Sequence, residues 1–175
     1  MRAPSLLSRR QLLRPVAVAV AVVSLSACGF KLRQAPDYVF NTIYVQAAES
    51  SSLANELKRN IAASGKVTVR NDALGLTQAD VVLVVILDQR VKSVATRSSA
   101  GQVQEFTLTS RFKFRLRTPT GEELIPDAEI VQRREISYSE TEALGKDAEE
   151  ALLYRSMQTD IVQQVMRRLA AVKEI

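Results

Sequence analysis

The sequence contains no histidine and no tryptophan, and a single cysteine among its 175 residues. Without histidine, Ser-His-Asp and Cys-His catalysis and every His-bearing metal site are excluded. One cysteine cannot close a disulfide within the chain, so any core holds by packing alone, even in an oxidising compartment. There is no Gly-rich phosphate loop. Aspartate and glutamate are plentiful, but no spacing singles out an acid–base pair, and solvated faces are where most carboxylates sit.

What is present begins at the N-terminus. Arg2, Arg9, Arg10 and Arg14 form a cationic stretch, Val16 to Leu25 is an apolar run, and Leu25-Ser26-Ala27 leads directly into Cys28. This is the arrangement of an export signal ending in a lipobox. It implies diacylglyceryl attachment to the Cys28 sulfur, cleavage before Cys28 and acylation of the new amino terminus. The apolar run is too short to span a bilayer core, which takes roughly 20 residues. A buried structural role is the common fate of a lone cysteine, but the flanking pattern favours lipidation. Arg9-Arg10 also has a twin-arginine look, which leaves the export route open. The expected organisation is a signal over 1–27, a lipidated tether over 28–38 and one domain over 39–175.

Removing the signal changes the charge. The whole chain has 24 basic and 19 acidic residues, a net of +5. Four of the basic residues and none of the acidic ones precede Cys28, so the processed chain carries 20 against 19, a net of +1. A nucleic-acid partner, which bulk basicity would suggest, loses its support, and no cofactor is expected.

Along the domain, Val39 to Val45 reads as a strand. Ser50-Ser51-Ser52 offers N-caps for a helix whose Leu53, Leu57 and Ile61 share one face, with Gly65 as its stop. Lys66 to Arg70 is a short strand and Asn71 to Ala79 a loop. Val81 to Leu87 is a continuous apolar run, expected to be a strand buried on both faces and emerging from the body toward Thr96. Arg97 to Gly101 is a turn. The next strand alternates cleanly: Phe106, Leu108, Phe112, Phe114 and Leu116 on one face, Thr107, Thr109, Arg111, Lys113, Arg115 and Arg117 on the other. Pro119-Thr120-Gly121 ends it, and Ile130 to Tyr138 is a weaker strand, with a bulge expected. From Thr141 to Val172 a stripe of Leu144, Ala148, Ala151, Leu152, Val162, Val165, Leu169 and Val172 predicts a helix about 48 Å long. The fold class is α+β: a two-layer sandwich with two helices on one face of a mixed, mostly antiparallel sheet of four to five strands.

Cys28-Gly29-Phe30-Lys31-Leu32-Arg33, the Leu53–Ile61 helix, the strand meander and Ala143-Leu144-Gly145-Lys146-Asp147-Ala148-Glu149-Glu150 with its long helix together resemble the LptE family of lipopolysaccharide-assembly lipoproteins. The resemblance covers nearly all of the processed chain. It implies a non-enzymatic partner of the LptD outer-membrane β-barrel, seated in the barrel lumen as a plug, aiding assembly and binding lipopolysaccharide. It also implies an outer-membrane location, which Gly29 after the acylated cysteine fits. Two lipopolysaccharide-binding positions of the family match Arg97 and Lys146.

The residues support that pairing in part. Antiparallel strands alternate direction, so Arg97 and Lys146 are expected at one end of the sheet, where two cations near a helix N-terminus suit a phosphate or carboxylate. Against this, Glu140, Glu142, Asp147, Glu149 and Glu150 surround Lys146, and acids in a first helical turn need no function; Lys146 as their solvated partner is the competing reading. The stripe Arg111, Lys113, Arg115, Arg117 is either the wet face of the sheet or a surface facing LptD. Two other classes stay open: an accessory lipoprotein of another envelope assembly machine, and a lipid-anchored hydrolase using paired carboxylates.

Overall fold

The computed structural model describes residues 37–72, 74–139 and 143–175. The expected signal segment, Cys28, most of the expected tether, Glu140, Glu142 and the side chain of Leu144 lie outside them. Strand β1 (Thr42–Gln46) turns Ile43 and Val45 to the interior. Helix α1 (Ser52–Ala63) follows, capped by Ser51, whose Oγ accepts from the Ala54 N–H at 3.0 Å. Leu53, Leu57 and Ile61 are buried as their spacing requires; each such side chain contributes about 1.5–3 kcal/mol. Gly65, at φ 70°, turns the chain out of the helix into β2 (Thr68–Arg70).

The 71–79 segment is not all loop. It carries a one-turn helix, α2 (Gly75–Gln78). β2 and β3 (Val81–Arg97) both run parallel to β1, which lies between them, and parallel strands require a crossover. Gly75 packs on the Tyr44 ring, on the face opposite Ile43, so this crossover passes over the sheet face that α1 leaves open.

β3, β4 (Val103–Arg117) and β5 (Glu123–Ser137) form an antiparallel meander, giving the sheet order β2-β1-β3-β4-β5. The mixed five-stranded sheet agrees with the sequence reading, and the detail departs from it in three places. Only Val81, Val82 and Leu83 are buried on both faces; from Val84 the apolar run is partly open, and Ile86 is 39 % exposed. Ile86 is the extra residue of a bulge between the Val85–Phe114 and Leu87–Lys113 pairs, and it reverses the faces from Leu87 to Val94, where a second irregularity at Ala95 interrupts the register. Asp88, Arg90 and Lys92, not Leu87, Gln89 and Val91, therefore share the helix-side face with Phe112, Ser110 and Leu108. β5 begins seven residues before Ile130 and runs through Pro126. As the outer strand it can hold a proline without losing a ladder bond, and Pro126 and Asp127 sit in a bulge opposite Arg115.

The third departure is in helix α3 (Ala143–Ala170), about 42 Å long at 1.5 Å per residue. Ala148 and Ala151 are exposed and Leu152 is 62 % exposed. Val162, Val165 and Leu169 are buried as their spacing predicts, but the rest of the buried stripe is Tyr154, Met157, Gln158, Ile161 and Met166, so the N-terminal turns of the helix run on beyond the packed region. The main core joins Phe40, Ile43, the α1 stripe, Leu83, Phe112, Phe114, Leu116, Ile130 and the C-terminal half of α3. A smaller cluster of Leu108, Ile136, Tyr154 and Met157 lies toward the Arg97 end. Arg90, Ser110 and Gln132, in register across β3, β4 and β5, separate the two on the helix side.

Candidate functional site

Arg97 and Lys146 do lie at one end of the sheet. Arg97 closes β3 opposite Val103, in the last pair before the turn whose Gly101 has φ 83°. Its Nη1 donates to the Gly101 carbonyl at 3.1 Å, and the residue is otherwise open to solvent. One row back, Glu105 stands between Thr96 on β3 and Ser137 on β5. Lys146, near the start of α3, donates to Ser137 Oγ at 3.1 Å and pairs with Glu149 at 2.9 Å. Arg97 is thus carried by β3, and Lys146 by α3 beside β5, with β4 between those two strands. Among the described residues Arg97 has no acidic partner. Lys146 has only 18 % of its side chain exposed and is tied to an acid, so an anionic ligand there must displace Glu149.

Between the free edge of β3 and α3 lies a groove of about 520 Å³ that pattern reading missed. Arg90 and Lys92 rise from the strand, and Asp147, Glu150 and Arg155 descend from the helix. Lys92 pairs with Glu150 at 2.6 Å and stands over the Phe106 ring at 4.4 Å. The hydrogen bond to Glu150, helped by its charge, holds the Lys92 ammonium above its ordinary value despite partial desolvation. The Tyr154 hydroxyl donates to the Val91 carbonyl at 3.1 Å, and burial pushes its phenol up. Arg90 and Lys92 reach this groove only because of the bulge at Ile86, and nothing in a single sequence announces that bulge.

The stripe Arg111, Lys113, Arg115, Arg117 is on the open face, as its alternation requires, but it is not bare charge. Arg111 pairs with Glu129 at 2.7 Å, Lys113 with Asp127 at 2.9 Å, and Arg115 with Asp127 at 3.0 Å and Glu123 at 3.5 Å. Arg117 donates to the Thr118 carbonyl. The hydrogen bond from Lys113 keeps the Asp127 carboxyl below the usual carboxylate range, with Arg115 adding to it. The face is a nearly neutral ladder of cross-strand ion pairs, each worth little on its own.

These features define a class, a small α+β domain with two long helices on a five-stranded sheet and one long strand hairpin reaching past the core. The solution structure of lipoprotein B from Nitrosomonas europaea has this fold, with a TM-score of 0.70 at 31% identity over 82% of this chain and 91% of that one. Rare lipoprotein B from Shewanella oneidensis matches at a TM-score of 0.61 and 23% identity, over 75% of this chain and 95% of that one. A minor lipoprotein from Acinetobacter baumannii also matches at 0.61, with 20% identity over 77% of this chain and 94% of that one; at such identities these two show the fold alone. No curated protein sequence matches the chain. The model of the lipopolysaccharide-assembly family, LptE, matches residues 40–169, and the chain belongs to that family.

Proposed function

We propose that this protein is exported, acylated at Cys28 and held on the periplasmic side of the outer membrane, where it seats in the lumen of the LptD β-barrel, plugs it and assists delivery of lipopolysaccharide to the outer leaflet. The family match over residues 40–169 carries this reading. The open sheet face, with Thr107 and Thr109 beside the ion-pair ladder, supports contact with a polar lumen wall. Because Arg111, Lys113 and Arg115 already have acidic partners in β5, such contact works through hydrogen bonding and shape rather than through unpaired charge. Arg97 and Lys146 are the proposed lipopolysaccharide contacts, Arg97 reaching a phosphate directly and Lys146 after release from Glu149.

Two measurements test this. Detergent-solubilised LptD should co-purify with the chain, and photocrosslinkers at Thr107 and Lys113 should capture a large barrel protein in cells; capture of none removes the barrel reading. Arg97→Glu with Lys146→Glu should weaken retention of labelled lipopolysaccharide while the fold is kept; unchanged retention removes the two residues from the site.

A further inference from the structure

Away from the Arg97 turn, at the β2 edge, the C-terminal half of α1 and β2 enclose a second groove of about 400 Å³. Its walls are Ala62, Val67 and Val69, and Lys58 and Arg59 stand at its rim. Leu57 and Ile61 take the core side of the helix, which leaves both cations on the outer flank. Among the described residues neither forms an ion pair. Lys66, next to Val67, adds a third exposed cation, paired with Asp37 at the first described position of the chain.

That pairing marks the corner at which the described chain begins. Asp37 is nine positions after Cys28, with eight residues between them, a reach of about 30 Å at full extension. A Cys28 anchored by acyl chains therefore keeps this corner of the domain close to the membrane surface. Lys58, Arg59 and Lys66 stand against Asp37, a net of +2 among the described residues of this corner. A Lys or Arg held near an anionic membrane surface gains about 1 kcal/mol. Charge attraction falls off within about 8 Å at physiological salt, so the tether supplies the proximity and the patch selects an orientation. The apolar walls between the cations accept the methylene part of a lipid below its phosphate.

We propose that the Lys58–Arg59 corner docks on the anionic phospholipid headgroups of the membrane that holds the anchor, fixing which way the domain faces. This rests on acylation of Cys28, as proposed above. Acylation also blocks the chain's own thiol, so Ala62→Cys gives a single labelling site beside the patch. The processed, acylated protein, its N-terminal peptide verified by mass, carries a fluorophore at that position. It is reconstituted in phosphatidylethanolamine vesicles with or without phosphatidylglycerol, each containing headgroup spin-labelled lipid. Quenching should be about threefold stronger with phosphatidylglycerol. Lys58→Glu with Arg59→Glu, or high salt, should return it to the neutral-vesicle level, while a label at Thr107 stays unquenched throughout. Acylated protein that is quenched equally in both vesicles, or regardless of charge reversal, overturns the docking surface alone. An N-terminal peptide of unacylated mass overturns the anchoring and this surface with it.

Discussion

Arg90 Nη2 lies 2.6 Å from Gln158 Oε1, joining β3 to α3 across 68 residues of chain. The same amide oxygen accepts from Ser52 Oγ at 2.9 Å, and the amide nitrogen donates to Glu56 on α1. Gln158 is only 8 % exposed. It is thus the point at which both helices and the central strand share one polar network. The Arg90–Ser110–Gln132 row lies beneath it, with the main core on one side and the Leu108–Met157 cluster on the other.

Gln158→Leu should lower stability by about 1–3 kcal/mol, since Arg90, Ser52 and Glu56 lose a buried partner together. Denaturant unfolding should show a lower midpoint with little change in slope. A midpoint equal to that of the parent chain would mean that water satisfies the three groups and that the network holds nothing together.

A polar belt between two apolar clusters also sets how the domain opens. The distal cluster is small and sits beneath a helix whose N-terminal turns are exposed, so it should open without the main core. Native-state hydrogen exchange should show Leu108 and Met157 amides exchanging through a sub-global opening, at a lower free energy than Phe112 and Ile161. Equal protection at all four would show one cooperative unit, with the belt making no division.

How far the sequence revealed this arrangement depended on whether burial was one-sided. β4 was legible because one face packs on the core and the other does not, so Leu108, Phe112, Phe114 and Leu116 fell into line. Even there Ser110 is buried in the same stripe, because it belongs to the polar row. β3 misled beyond Val85, since one extra residue at Ile86 reverses the side chains from Leu87 to Val94 and bulges leave no compositional mark. In α3 the alanines pointed the wrong way: Ala148 and Ala151 tolerate either environment, whereas Tyr154, Met157 and Ile161 mark the packed side. The shared position of Arg97 and Lys146 was legible from strand direction alone. The acids around Lys146 were legible too, and Glu149 is the one that pairs with it; that β5 acids occupy Arg111, Lys113 and Arg115 depended on rotamers and on a register shift at Pro126.

Gly75 is needed for close approach and not for an unusual backbone angle. A Cβ there would fall inside van der Waals contact with the Tyr44 ring and 2.9 Å from Arg70 Cβ. Gly75→Ala should destabilise the domain by about 1–3 kcal/mol through overpacking. Tyr44→Ala in the same chain should make Gly75→Ala less costly, because the ring is the main obstruction. Additive losses in that double-mutant cycle would place the strain elsewhere.

The ladder on the open face should register in acid. Asp127 has a folded-state pKa below its ordinary 3.8, so its contribution is present above that value and is lost as pH falls through the lower folded one. The carboxyl is solvent-exposed, which keeps the effect small and makes a direct titration the better measurement. The chemical shift of the Asp127 side-chain carboxyl should titrate with a midpoint below 3.8. Lys113→Met should move it upward the most, because the Lys113 hydrogen bond is the largest cause, and Arg115→Met should move it less. A larger shift from Arg115→Met would reverse the order of the two partners. An unshifted midpoint in the parent chain would mean that these ion pairs do not persist in solution, and that Lys113 and Arg115 are free to meet acidic groups on a partner.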